Sequence, residues 1–408
     1  MNRIVVAFAI TALGASCSGS VDAVNNPLGP LGSTCPSSLA EKLGRPPRFL
    51  IGLGNEPQDS TTYSLGVTLD IHYVYLSRGW TGWGDKKSDY VVRHLDAGRT
   101  YGVVPMFTFY ESADQGDGAL TEFTDATYMR DTYWKNIRQM FMDIGDFRED
   151  PNDPTSNRLP AIVHFEPDFW GYVEQCTSNA HPGGVSCTNT ATHTDDPTIF
   201  PALVDSECAN AHLPNNAAGL AQCMVWLRNK LAPNAIVGLH ASTFGAHIGT
   251  SSDPVRVAKF LIGLGAEIDF IAVETLDRDA GCFEARGPNC NPSGRSGNFY
   301  WNENDFSEHL AWAKAIHDTT TLPLLWWQTP LGAPSDQPGG TPQHYRDNRV
   351  QYIFAHPDKF VAAGGVGAVF GRGEPNQTNA TTDGGQFKNA VKAYFASPTP
   401  LPDPGSCD

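Results

Sequence analysis

Carboxylates gather just past two apolar runs of this sequence. Ala161 to Tyr172 reads Ala-Ile-Val-His-Phe-Glu-Pro-Asp-Phe-Trp-Gly-Tyr, so a run of strand type stops at a proline and delivers Glu166 and Asp168 beside Trp170. A second run, Ile268 to Val273, delivers Glu274 and then Asp277, Arg278 and Asp279. Two carboxylates that face one bond can do acid/base work. One holds a proton for a leaving oxygen, and the other, ionised, attacks or activates water. A lone acid after a strand usually caps the next turn. Glu-Pro-Asp with a tryptophan close behind is a denser arrangement. Glu166 is expected as general acid and Glu274 as its partner, with Asp168 and Asp277 tuning them or standing in for one.

Other side chains at the ends of such runs suit substrate contact. His72, His164 and His240 can hydrogen-bond the acids or substrate hydroxyls; a metal site built from them with Glu166 or Asp168 is the alternative. No H-E-x-x-H supports the metal, and no G-x-S-x-G elbow supports a serine nucleophile. Trp80, Trp170 and Trp326 offer flat apolar faces, although a tryptophan is also a common core residue. Trp326 and Trp327 are adjacent and point opposite ways, so one of them packs against helices. Gln328 shares the parity of Trp326, and Arg372 follows the last apolar run. The expected contacts are therefore His72, Trp80, His164, Trp170, His240, Trp326, Gln328 and Arg372, with no cofactor and no metal.

The elements that must position these groups are eight strand-like runs. They are Phe49–Gly54, Leu69–Tyr75, Tyr101–Tyr110, Ala161–Phe165, Ala235–Ala241, Ile268–Glu274, Leu322–Gln328 and Gly365–Gly371. Helical patterns separate most of them: residues 126–144, 216–231, 254–264, 305–317, 343–354 and 385–395. Alternation of this kind gives a parallel α/β fold, and eight repeats give the closed (β/α)8 TIM barrel, whose active site lies at the C-terminal strand ends. A doubly wound open sheet is the other option, but no G-x-G-x-x-G opens a helix.

The rest of the 408 residues frames that barrel. A basic start, the apolar stretch Ile4 to Leu13 and Gly14-Ala15-Ser16 read as a signal peptide over residues 1–17. Cys17 resembles the lipid-acceptor cysteine of bacterial lipoproteins, except that Gly14 stands where a large aliphatic residue is usual. Residues 18–46 read as a Gly/Pro/Ser-rich tether, 47–397 as one catalytic barrel and 398–408 as a Pro-rich tail. Setting Cys17 aside leaves eight cysteines. In an exported chain the simplest pairing is Cys176/Cys187, Cys208/Cys223, Cys282/Cys290 and Cys35/Cys407. A formal charge of −16 argues against nucleic acid and anionic membrane as partners. A secreted or outer-surface monomer is expected.

These residues resemble the TIM-barrel glycoside hydrolases as a broad class, over about residues 47–397. In the large clan with this architecture, the acid/base Glu ends strand four and the nucleophile Glu ends strand seven. Glu166 matches the first place. Gln328 occupies the second, so the resemblance implies that Glu274 or Asp277 must serve. A narrower resemblance is to glycoside hydrolase family six, whose apolar-Glu-Pro-Asp motif matches Phe165-Glu166-Pro167-Asp168. Leu276 to Cys282 is similar to that family's acid-bearing loop, though in reversed chain order. The resemblance implies a secreted glycoside hydrolase acting on an oligo- or polysaccharide by a two-carboxylate mechanism. The alternatives are a non-catalytic carbohydrate-binding barrel and a metal-assisted hydrolase or deacetylase.

Overall fold

A computed structural model describes residues 35–54, 63–83, 89–112, 123, 125–177, 205–243, 247–248, 251–290, 299–334 and 340–407. Every expected apolar run is a strand: β1 (Leu50–Gly54), β2 (Ile71–Ser77), β3 (Val104–Tyr110), β4 (Ala161–Phe165), β5 (Ala235–His240), β6 (Phe270–Val273), β7 (Leu324–Thr329) and β8 (Gly365–Phe370). Each pairs in parallel with its neighbours in the chain, and β1 closes on β8 with Leu50 opposite Gly367. The fold is a (β/α)8 barrel.

Strand alternation divides the side chains between two cores. Leu50, Ile71, Tyr73, Met106, Ile162, Ile236, Phe270, Leu325 and Trp327 fill the lumen. Leu53, Val74, Phe107, Val163, Leu239, Val273, Trp326 and Phe370 face the helices instead. The helix Trp134–Gly145 shows why the outer layer forms, because Ile137, Met140, Phe141 and Ile144 recur at helical spacing and are all buried. The expected helix over 126–144 is built in three pieces, Ala126–Tyr128, a π turn at Met129–Tyr133, and Trp134–Gly145. The helix expected from residue 343 starts only at Arg349, since the residues before it pair with Ala333, whose N–H donates to Tyr345 O at 2.7 Å and whose O accepts the Asp347 N–H at 3.0 Å.

The floor of the barrel is pinned twice in the same way. Asp70, just before β2, accepts the Ile51 N–H at 2.9 Å and a two-pronged Arg48 at 2.7 and 2.8 Å. Asp269, just before β6, accepts the Val237 N–H at 3.0 Å and Arg228 at 2.8 Å. Within the stretch read as a tether, Pro36–Lys42 is a helix that buries Leu39 and Ala40 against the lumen floor. The tail docks beside it, with Leu401 N–H donating to Pro47 O at 2.9 Å and Cys35 bonded to Cys407. Cys208–Cys223 and Cys282–Cys290 form as spacing suggested; the expected partner of Cys176, Cys187, lies outside the described residues, as do Cys17 and the signal region. Among the described residues no helix is long and apolar enough to cross a membrane.

Candidate active site

At the C-terminal mouth, the inward series Ile71, Tyr73, Tyr75 of β2 ends in a phenol that feels the charge of several acids. The Tyr75 hydroxyl donates to Gln328 Oε1 at 2.6 Å. Burial lifts its pKa well above the ordinary value; Tyr73, Glu274, Asp168 and Glu374 push it the same way in that order. Asp168 comes from the turn after β4 and Glu274 from the end of β6, so two strands that are not adjacent bring acids to bear on one hydroxyl. Asp168 Oδ2 also accepts the Tyr110 hydroxyl at 2.5 Å. Tyr110 ends the inward series of β3.

Asp277 is engaged differently. Its carboxylate pairs with the neighbouring Arg278, which also reaches Glu374 Oε1 at 3.2 Å, while Asp277 O accepts Gln328 Nε2 at 3.3 Å. Asn289 Nδ2 donates to the other Glu374 oxygen at 3.1 Å. Arg372 is exposed and donates to Pro375 O at 3.3 Å. These residues line one side of the mouth as an ion-paired rim.

Two non-glycine residues take left-handed backbone angles at strand ends, Glu166 (φ 44°) and Gln328 (φ 52°). Such angles are sparsely populated for residues with a Cβ and reverse the direction a side chain would take by alternation. Gln328 is thereby swung into the mouth to meet Tyr75. Glu166 is swung out of it. Its Oε2 accepts from Ser112 N at 3.1 Å and from Ser112 Oγ at 2.7 Å. The Tyr133 hydroxyl lies beside the carboxyl without meeting hydrogen-bond geometry, and Glu111, bonded to Tyr128 and Asn136 of the helical layer, is nearby. Burial raises the Glu166 pKa to about 8, against the lowering by Ser112. The side chain is 0% exposed. The expected general acid Glu166 therefore leaves the face that carries Asp168, and it has no surface to offer a leaving oxygen.

The histidines divide as well. His72 faces outward, with Nδ1 at 2.6 Å from the Tyr63 hydroxyl and its ring against His94. His164 and His240 face the lumen, ring on ring, with His240 Nδ1 at 3.2 Å from His164 Nε2 and the Trp327 edge on both. Burial lowers both, His240 to about 3, so both rings are neutral at ordinary pH. A wall of the barrel separates His72 from this pair, which corrects its expected place among substrate contacts and removes the three-histidine metal site. Among the described residues the grouping with metal-ligand reach is Asp205 with Cys208 and Cys223, and those sulfurs are joined to each other.

The expected tryptophan platforms are core. Trp80 is 0% exposed within the outer cluster. Trp170 folds back so that Nε1 donates to Phe165 O at 3.0 Å. Trp326 packs on Phe360 and donates to His309 Nε2 at 2.8 Å. Of the adjacent pair, Trp327 is the one that reaches the lumen. Sequence reading left Tyr75, Tyr110 and Trp327 out of the site; their signal was inward parity on β2, β3 and β7, which carries tyrosines and tryptophans as readily as acids.

No family profile matches the chain, and no curated protein matches it. Several solved structures are similar. A GH26 beta-mannanase from Bacteroides ovatus is 9% identical, with a TM-score of 0.47 and coverage of 90% of this chain and 94% of that one. A GH18 chitinase from Pseudoalteromonas aurantia is 10% identical, with a TM-score of 0.43 and coverage of 85% and 99%. A family 1 β-glucosidase from Thermotoga maritima is 15% identical, with a TM-score of 0.42 and coverage of 82% and 84%. These similar structures are glycoside hydrolases, and the likeness to family six gains no support from them. The barrel itself rests on this chain's own strand order.

Proposed function

We propose that this chain is an exported hydrolase of glycosidic bonds in an oligo- or polysaccharide, with Asp168 and Glu274 as its reacting pair. The observation that carries this reading is that two carboxylates, delivered at the C-terminal ends of β4 and β6, both act electrostatically on the buried Tyr75 phenol. One would protonate the leaving oxygen. The other would attack the anomeric carbon or activate the water that does. Tyr75 and Gln328 would hold sugar hydroxyls, and Tyr110 would fix the Asp168 carboxylate. The disulfides support a place outside the reducing cytoplasm.

Release of new reducing ends by the mature chain, screened over glucans, xylan, mannan, chitin and uronate polymers, tests the reading. Asp168→Asn and Glu274→Gln should each lower kcat by about 10²–10⁴-fold on the polymer that responds. Full activity in either variant, with the fold intact by circular dichroism, removes that residue from the pair. A non-catalytic carbohydrate-binding barrel is the second reading. Gln328, an amide at the place where the resembling enzymes carry a nucleophile, favours it. Tight binding to one polymer with no reducing ends over long incubation would establish it.

A further inference from the structure

Glu166 is a fully buried acid that this chemistry does not use, and its surroundings give it another task. We propose that Glu166 is a positioning residue that holds Asp168 in place by tying the end of β3 to the end of β4; this rests on Asp168 being a reacting carboxylate.

Two four-residue segments run side by side here, Phe109–Ser112 at the end of β3 and Phe165–Asp168 at the end of β4, and three ties cross between them. The Glu166 N–H donates to Phe109 O at 2.7 Å, a last rung of the sheet. On the helix side, Ser112 gives both its backbone N–H and its hydroxyl to one oxygen of Glu166. On the lumen side, the Tyr110 hydroxyl donates to Asp168. Tyr110 stands two residues before Ser112, and Asp168 stands two residues after Glu166. The outer tie therefore fixes the short spans that carry the inner one.

Both segments are stiffened from within. Pro167 has a fixed φ and links Glu166 to Asp168 directly, so a rotation at Glu166 is passed on to the aspartate. Glu166 sits at φ 44°, an angle that a residue with a Cβ keeps only where its surroundings hold it. Glu111, between Tyr110 and Ser112, is anchored by Tyr128 and Asn136, which grips the β3 end from the helical layer. Loss of the Glu166 tie would let the left-handed turn relax and carry Asp168 away from Tyr110.

The test compares steady-state kinetics of folded variants on the responding polymer and on aryl glycosides of graded leaving-group acidity. Glu166→Gln keeps an acceptor for Ser112 and should retain kcat within about threefold, a rescue by the conservative variant. Glu166→Ala should lower kcat by about 10–10²-fold with KM nearly unchanged, the scale expected when a reacting group is displaced by about an ångström. Ser112→Ala, a milder change that leaves the backbone donor, should lower kcat in the same direction by less. Tyr110→Phe should resemble Glu166→Ala, and the double variant should be no worse than the poorer single one, because both cut the same brace. The loss in Glu166→Ala should vary with leaving-group acidity in the same way as the loss in Asp168→Asn, because both act on the same carboxylate. Two results overturn the proposal while leaving the hydrolase reading standing. One is a Glu166→Gln variant as impaired as Glu166→Ala, with a loss that vanishes on the best leaving groups while that of Asp168→Asn does not, which would make Glu166 the general acid. The other is Glu166→Ala at full kcat. A wild-type chain that hydrolyses no glycoside sinks the hydrolase reading, and the positioning role with it.

Discussion

Tyr75 and Gln328 show how much of the site depends on the direction of single side chains. The Tyr75 hydroxyl satisfies the amide oxygen of a residue only 6% exposed. Tyr75→Phe would leave that oxygen without its donor, and a buried acceptor stripped of its partner costs roughly 1–3 kcal/mol. Urea unfolding should register a loss of that size; an unchanged midpoint would mean that solvent serves the amide instead. The residue types of the site were legible in the sequence, since Asp168, Glu274 and Gln328 were all singled out there. Their orientation was not. Glu precedes Pro167, a position biased toward extended backbone, so nothing in the residue order announces a left-handed angle at Glu166. The same holds at Gln328, where the angle brings an amide into the mouth that alternation had placed with Trp326.

At the scale of elements, the eight strands were legible because each is a short apolar run bounded by turn residues. The outer helices were legible where their apolar residues recur every three or four positions. Which member of a pair faces inward was harder to read. Counting parity back from Gln328 put Trp326 in the mouth, but the register between β7 and β8 slips between Ala368 and Phe370, and Trp327 occupies the lumen. Trp326 instead bridges β7 to the helix Glu303–Thr320 through His309. Trp326→Phe should therefore lower stability by roughly 1–3 kcal/mol, through the lost hydrogen bond and a small cavity, while KM stays put. A large rise in KM with stability unchanged would return Trp326 to the sugar site. Inward glycines are a second device that sequence alone does not display. A Cβ at Gly238 would meet the Phe270 ring at 2.5 Å, and one at Gly54 would meet the Tyr73 ring at 2.3 Å, so each glycine makes room for an aromatic from the next strand.

At the scale of the whole molecule, buried titratable groups of opposite kinds set a stability profile with pH. Burial raises Glu166, Glu174 and Asp279 to about 8 each. The folded chain holds protons on these acids that the unfolded chain releases above its ordinary carboxyl range, so they make stability fall as pH rises from the ordinary carboxyl pKa to about 8. Burial also keeps His94, His164, His240 and His309 neutral, with His240 and His309 lowered to about 3. The unfolded chain protonates those rings below the ordinary histidine pKa, so they make stability fall as pH drops from there toward 3. In the window between the two ordinary values the slopes oppose each other, and there Asp143, raised by burial to about 6, adds to the acids' side. Above that window only the acids act, each contributing at most about 1.4 kcal/mol per pH unit. The profile should be a shoulder centred between pH 5 and 6.5 that declines on both sides, read as urea midpoints from pH 3.5 to 8.5. Glu166→Gln carries no titrating group at that place, so it should flatten the alkaline limb by one acid's share and leave the acid limb alone. Stability that climbs steadily from pH 6.5 to 8 would mean that these carboxyls are solvated and ionised in the folded chain, and that the brace at the end of β4 holds a charge and not a proton.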